Sequence, residues 1–468
     1  MFGAGRFLAL AHFGFDKDHS LSWWPEQWRT DYFNLIHHYN MLGILHGHAH
    51  KPFIYQWQGI DIYHPPHFRG EPKKNEPVTH GFFVFHITGA SVDALVGAWR
   101  KPGGGLLQLP LWAFPVRWDR LHRADLATPG TRVLNQWQLG RALTGDRPLD
   151  PPIRALFVYN SNPLVVAPDQ LRLKQGLARD DLFTVVSEQF ITDTARYADL
   201  LLPATTQVEQ ADLMFSWGHL YLSLNRQAIA PLGEAVANAE LFRRLARVMG
   251  LDDPFFFRSD EEILREAIDW DAPSMQGIDM ALLEQQGYAR LNLPAADAYA
   301  PHADGGFPTP SGKCEFYSAT AKTMGLDPLP GFTPPRESPA NPSELSQRYP
   351  LAFISPPHRH FLNSSFANLD FALKDAGEPT LEIHPDDAAA RGIAENTAVR
   401  VFNDRGEYTV RARITDRVRR GVVSAPSVWW KKLSPDKRNA NELTSQAVAD
   451  MGCAATYYDC LVEVTPEV

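Results

Sequence analysis

Ala155-Leu156-Phe157-Val158-Tyr159-Asn160-Ser161-Asn162-Pro163 is a five-residue apolar run stopped by two asparagines, a serine and a proline. A short continuous run of this kind suits a strand buried on both faces, and its polar, proline-closed tail marks where the strand ends. A helical pattern over 168–177 leads to a second apolar run, 182–187, closed by Glu188. Together they read as one strand-helix-strand crossover, the unit of a parallel sheet covered by helices. Residues 192–203, Thr-Asp-Thr-Ala-Arg-Tyr-Ala-Asp-Leu-Leu-Leu-Pro, then predict a capped helical turn feeding a third brief strand that proline stops. Residues 240–249 place apolar side chains at helical spacing and end at Gly250.

Outward from this unit the texture divides the chain. Eleven of the 17 histidines crowd into the first ninety residues, whereas Val/Leu-rich runs alternate with helical patterns from Asp93 onward. The change sets a boundary at 88–93. Residues 301–342 are rich in proline and glycine and read as a connection. Beyond Tyr349 come short β-rich runs at 352–355, 398–402, 408–414, 421–425 and 461–464, separated by turn signals such as Asn403-Asp404-Arg405-Gly406. The reading is an α/β chain: a small N-terminal α+β fragment at 1–90, a doubly wound, mostly parallel sheet at 91–300, a connecting segment at 301–348 and a closed β-barrel at 349–468.

Composition narrows the function classes. At roughly 150 residues per domain, 468 residues suffice for about three units, each with its own core. The 45 Lys+Arg against 54 Asp+Glu leave a formal charge of −9, which repels a nucleic-acid backbone at long range but allows a local basic pocket for a phosphorylated cofactor. Three cysteines, Cys314, Cys453 and Cys460, are too few for a disulfide framework or the four thiolates of an iron-sulfur cluster, and point to a reducing compartment. No apolar run approaches the roughly 18 residues of a membrane span, and residues 1–15 make a poor signal peptide. The expectation is a cytoplasmic protein without a nucleic-acid partner or a membrane span.

In open α/β sheets, ligands bind beyond the carboxyl ends of the strands, which here means Asn160, Ser161, Asn162 and Glu188. Amides and a hydroxyl donate and accept, and a strand-end carboxylate accepts two N–H bonds, a set suited to a purine edge or a ribose diol. The same tetrapeptide also reads as a plain turn, and Thr192 and Thr194 as helix caps. Gly103-Gly104-Gly105 beside Arg100 and Lys101 allows close backbone approach to a charged ligand without matching a P-loop or G-x-G-x-x-G spacing. The loop 355–368 concentrates Ser355, Arg359, Asn363 and Ser364 after a strand: Arg359 can pair a phosphate bidentately, or the loop is simply solvated. Asn441 and Tyr457, with Trp429 and Trp430, bring amides and aromatics to the barrel.

Taken in order, Gly-Gly-Gly, Asn-Ser-Asn-Pro, Thr-Asp-Thr-Ala-Arg-Tyr-Ala-Asp-Leu-Leu-Leu-Pro, Pro-Thr-Pro-Ser-Gly-Lys-Cys-Glu-Phe-Tyr-Ser, Leu-Asn-Ser-Ser-Phe and Asn-Glu-Leu-Thr resemble the molybdopterin oxidoreductase family, dimethyl sulfoxide reductase type, over 93–468. The resemblance implies that the middle unit holds one guanine dinucleotide of a bis-pterin molybdenum cofactor and that the last unit is a double-psi dinucleotide-binding barrel. It implies that Asn160, Asn162, Glu188 and Thr194 line the nucleotide pocket, with Ser355, Arg359, Leu362, Asn363, Ser364 and Asn441 closing the pterin side. Ser161, Thr192 and Tyr457 complete the candidate set. Such enzymes often carry an iron-sulfur segment and a Cys, selenocysteine or Ser metal ligand in the half that has no counterpart here. The catalytic residues are therefore left unassigned, no iron-sulfur cluster is expected in this chain, Cys314 is expected to enter a core strand, and an electron-transfer subunit is an admissible partner.

Residues 8–16 and Ile44-Leu45-His46-Gly47-His48-Ala49-His50 resemble instead the last third of a calcineurin-like metallophosphoesterase. His48 and His50, at i and i+2, project to the same side of an extended segment, and with His12 they could hold one divalent metal; they could equally pack or face solvent. The expectation is a chimeric chain whose function is cofactor binding within a molybdenum oxidoreductase. The alternatives are a non-catalytic cofactor-binding remnant and a metal-dependent phosphoesterase.

Overall fold

A computed structural model describes residues 98–102, 110–146, 149–295, 297–300, 302–329 and 331–467, together with the backbone of four earlier strands. These are β1 (Arg6–Ala11), β2 (Asn40–His46), β3 (Phe53–Trp57) and β4 (Ile60–His64), forming a sheet of order β1-β2-β4-β3 with only β3 antiparallel to its neighbour. They belong to one unit, Met1–Ile87; the remainder, Thr88–Val468, is a second. His12, His48, His50 and Gly103 to Gly105 lie outside the described residues.

The second unit contains the crossover that the pattern predicts. Strand β5 (Ala155–Tyr159) is followed by helices Pro163–Val166 and Gln170–Leu177, then β6 (Phe183–Glu188), a 3-10 turn Ala195–Tyr197 and β7 (Leu200–Pro203). All pairings are parallel and the order is β5-β6-β7. Helix Gln170–Leu177 packs close enough on Leu139–Thr144 that a Cβ on Gly176 would lie 2.5 Å from that of Leu143, so only glycine fits.

This sheet is not the doubly wound one expected. Among the described residues its order follows the sequence without reversal, and the next strands leave it. Residues 215–220 between β8 (Asp212–Met214) and β9 (Tyr221–Asn225) are too few for a parallel crossover, which takes about a dozen, so β8 pairs antiparallel with β9, and β9 pairs antiparallel on its other edge with β10 (Tyr288–Arg290). Helix Asn238–Met249 ends at Gly250 in the left-handed region, φ 72°, as its glycine predicts.

The last unit closes into a barrel of six strands: β11 (Leu351–Ile354), β12 (Thr380–Ile383), β13 (Ala398–Phe402), β14 (Glu407–Ile414), β15 (Val422–Ser424) and β16 (Leu461–Pro466), in the order β11-β15-β12-β14-β13-β16. Alternation puts Val399, Val401, Val410, Val462 and Val464 inside around Phe353, while Arg400 and Arg411 point out. Sequence reading missed β12. Thr-Leu-Glu-Ile has only two apolar residues, but Leu381 and Ile383 are fully buried and Glu382 sits outside, 3.4 Å from Arg417. Residue 314 is in no strand, contrary to expectation: it lies in an irregular, partly exposed stretch between β10 and helix Ala319–Thr323, and the cysteine in the barrel core is Cys460. No helix among the described residues is long and apolar enough to cross a membrane.

Candidate functional site

The carboxyl ends of β5, β6 and β7 open into a cleft of about 420 Å³, lined among others by Asn160, Ser187, Glu188, Gln189, Asp212 and Asn238. Asn160 leaves β5 with φ 50°, a conformation asparagine tolerates, and its Oδ1 accepts from Asn238 Nδ2 at 2.8 Å. Glu188, the last residue of β6, is partly buried, and burial pushes its carboxyl above the ordinary 4.5. Its Oε1 accepts from the backbone N–H of Gln189 at 2.8 Å, which lowers it only in part. Burial pushes the Asp212 carboxyl up as well. Ser187 Oγ is buried with no hydrogen-bond partner. A cleft with a half-buried carboxylate at Glu188, a more exposed one at Asp212 and an adjacent amide pair accepts N–H donors and disfavours bare anions.

Asn162 and Thr194 sit together behind this cleft, on the seam with the barrel. Asn162 Oδ1 accepts from Thr194 Oγ1 at 2.8 Å and Thr194 N at 3.3 Å, and Thr194 Oγ1 accepts from Leu164 N at 3.0 Å. The loops after β5 and β6 are thereby tied to each other. Thr192 Oγ1 accepts from Ala195 N at 3.1 Å, the capping role that the sequence left open. Ser161 lies partly buried between the two asparagines.

From the barrel side, Asn441 Nδ2 donates to Val165 O at 3.0 Å, and Tyr457 Oη donates to Val166 O at 2.6 Å. Asn439 Nδ2 reaches both Val165 O, at 3.3 Å, and Trp429 O, at 2.9 Å. These three side chains satisfy the last carbonyls of helix Pro163–Val166, which nothing inside a helix this short can satisfy. Their first role is to clamp the barrel onto the sheet layer. Burial pushes the Tyr457 phenol up.

The loop after β11 divides. Ser355 is buried with an unpartnered Oγ, and Ser364 accepts at its main-chain oxygen from Trp430 Nε1 at 2.7 Å. Arg359, Leu362 and Asn363 are exposed, Leu362 and Asn363 in the tight turn closed by Leu362 and Ser365, where Asn363 has φ 54°. The structure thus brings Asn160 and Glu188 to one cleft, and Asn162, Thr192, Thr194, Asn441 and Tyr457 to the seam behind it. Neither Asn162 nor Asn363 lines the cleft that holds Glu188. Sequence reasoning missed Asn238, Gln189, Asp212 and Asn439. Asn238 opens the helix that the pattern placed two residues later, and Asn439 holds an Asx turn by accepting from Asn441 N at 2.9 Å. Among the described residues no cluster of His, Cys, Asp and Glu could hold a metal ion.

Residues 80–248 match the family model Molybdopterin oxidoreductase, and residues 351–461 match Molydopterin dinucleotide binding domain. The first match begins inside the segment assigned by sequence to the N-terminal fragment, and neither bears on residues 1–79. Probable oxidoreductase YoaE of Bacillus subtilis is 37% identical over 377 residues, 80% of this chain and 53% of the relative. Dimethyl sulfoxide reductase DmsA of Escherichia coli is 31% identical over 353 residues, 68% of this chain and 42% of its own. Acetylene hydratase from Pelobacter acetylenicus shares the fold, with TM-score 0.59 and 23% identity over 72% of this chain and 47% of that one. The chain spans about half the length of the curated relatives it matches. Residues 80–248, which hold the parallel sheet, thus match a molybdopterin oxidoreductase domain, and residues 351–461, which hold most of the closed barrel, a molydopterin dinucleotide binding domain.

Proposed function

We propose that residues 91–300 and 349–468 bind the guanine dinucleotide form of molybdopterin, with the guanine against Glu188 and the pterin toward the seam under a barrel of double-psi type. The observation that carries this reading is Glu188, a half-buried strand-end carboxylate with one oxygen on a backbone N–H and the other turned to no hydrogen-bond donor among the described residues. The guanine edge offers N1–H and N2–H to such a group. Buried polar atoms with no partner fit the remainder: Asn162 Nδ2, Ser187 Oγ, Ser355 Oγ and Trp429 Nε1 all lie on the segments that would surround the ligand. The molybdenum held by the pterin would supply two-electron or oxygen-atom transfer. The chain's own groups orient the nucleotide, exclude water from its guanine edge and hold the two layers together.

The test is direct. Chain produced in a molybdenum-replete host and then denatured should release pterin fluorescence and GMP in amounts comparable to the chain itself. A preparation that releases neither overturns the reading.

Glu188 also predicts a pH dependence. Its carboxyl stands high in the free chain because burial disfavours the charge, whereas two guanine N–H donors favour the charge, so the bound value lies below the free one. GMP affinity for cofactor-free chain should be constant above the free value and fall as pH drops below it. Glu188→Gln should abolish that slope and weaken GMP about tenfold, the loss of roughly one charge-assisted hydrogen bond. A pH profile unchanged by the substitution would remove Glu188 from the site.

A further inference from the structure

A second cleft, of about 600 Å³, lies between helix Gln170–Leu177, the turn Ala195–Tyr197 and the barrel loop 431–438, and shares no lining residue with the strand-tip cleft. Six cationic side chains line it, Lys174, Arg196, Lys431, Lys432, Lys437 and Arg438, in a chain whose formal charge is −9. Three carboxylates, Asp193, Asp436 and Glu442, share the lining and are engaged within its wall, although Asp193 Oδ2 is buried without a hydrogen-bond partner. Glu442 pairs with Lys431. Asp436 accepts from Thr409 N at 2.6 Å and from Ser434 Oγ and Arg438 N, both at 3.0 Å. Asp193 accepts from the backbone N–H of Lys432 at 2.9 Å, and Arg438 bonds Glu407 at 2.7 Å.

Lys174, Arg196 and Lys437 are left with no carboxylate partner among the described residues, although they come from three separate elements. Exposed like charges gathered on one wall raise the local positive potential and favour an anion there. The same cleft presents an apolar surface: Leu171, 45% exposed, and the partly buried ring of Tyr197. Cations suit phosphates, and an exposed leucine beside a tyrosine ring suits a flat heterocycle.

We propose that this cleft binds a free nucleoside diphosphate, its phosphates on Lys174, Arg196 and Lys437 and its base against Leu171 and Tyr197. The diphosphate of the pterin dinucleotide carries the same chemistry, so the test separates the two sources. Calorimetric titration of the full chain, as purified with its measured pterin content, should show one ADP site with a Kd below about 1 mM at 0.1 M KCl, and AMP about tenfold weaker for the missing phosphate. Raising the salt to about 0.5 M should weaken ADP further, since the cations are exposed. The Lys174→Gln/Lys437→Gln double variant should lose about tenfold in ADP affinity while its unfolding midpoint and pterin content stay unchanged. Arg196→Gln is the second variant should that pair fail to fold. The proposal is overturned by absence of saturation at millimolar ADP, by undiminished affinity in the folded variants, or by ADP displacing the pterin dinucleotide, which would make this the cofactor's own site.

Discussion

Arg405→Met should destabilise the barrel by about 3–5 kcal/mol, the effect expected when one partner of a largely buried ion pair is removed and the other stays charged. Arg405 sits in the turn between β13 and β14, with Nη1 and Nη2 each 2.7 Å from the Glu337 carboxylate and Nε 2.6 Å from Leu443 O. The side chains of Arg405 and Glu337 are only 20% and 14% exposed, so water cannot take over the abandoned charge. Leu443 O also accepts from Asn403 Nδ2 at 3.0 Å. This turn therefore anchors the segment that carries Asn439 and Asn441, the clamp on Val165 O. Urea unfolding of the single variant and of Arg405→Met/Glu337→Gln checks the prediction. The double variant should regain a large part of the loss, because it removes the stranded charge. A single variant that costs under about 1 kcal/mol would show that the pair is solvated in solution. Pterin content should fall in parallel with stability, since the clamp loosens before the sheet layer does.

Phe353→Ala should cost about 3–5 kcal/mol, the range for emptying an aromatic site in a packed core. Phe353 is fully buried at the centre of the barrel, its ring edge-on to that of Tyr408 at 6.3 Å. Its neighbours are strand residues locked by ladder hydrogen bonds on both sides, so the wall cannot collapse into the void. Phe353→Leu keeps most of the volume and should cost under about 1.5 kcal/mol. Thermal or urea unfolding of both variants decides the matter. Equal losses in the two would mean that ring geometry, not volume, is what the barrel needs at this position.

How far the fold could be read from the chain depended on how local its determinants were. The β5 and β6 runs carry their own stop signals, so their ends were legible to within a residue. The strand Thr380–Ile383 was not, because its identity comes from two neighbours: it pairs parallel with β14 and antiparallel with β15, and four residues with one charge carry no such information. The antiparallel sheet of β8 to β10 escaped for a related reason, since 62 residues lie between β9 and its partner β10.

The candidate site divides along the same line. That polar residues would gather at the strand tips follows from the topology of a parallel sheet, and Asn160 and Glu188 do meet there. That Asn441 and Tyr457 would be spent on the carbonyls of Val165 and Val166 could not be read, because the partner lies more than 270 residues away in the chain. A single asparagine looks the same in sequence whether it faces a ligand or a helix end.

By itself, then, the order of residues determined the strand-helix-strand unit, the barrel-forming β-rich tail and the family motifs. Each of these is written in runs and turn residues a few positions apart, where backbone propensity and period act directly. Only the tertiary structure decided which carboxylates lose their water at the strand tips, which amides are consumed as clamps, and that Lys174, Arg196 and Lys437 converge on one cleft. Desolvation and charge proximity are properties of space: they fall off over a few ångströms, and folding alone sets which residues come within that reach.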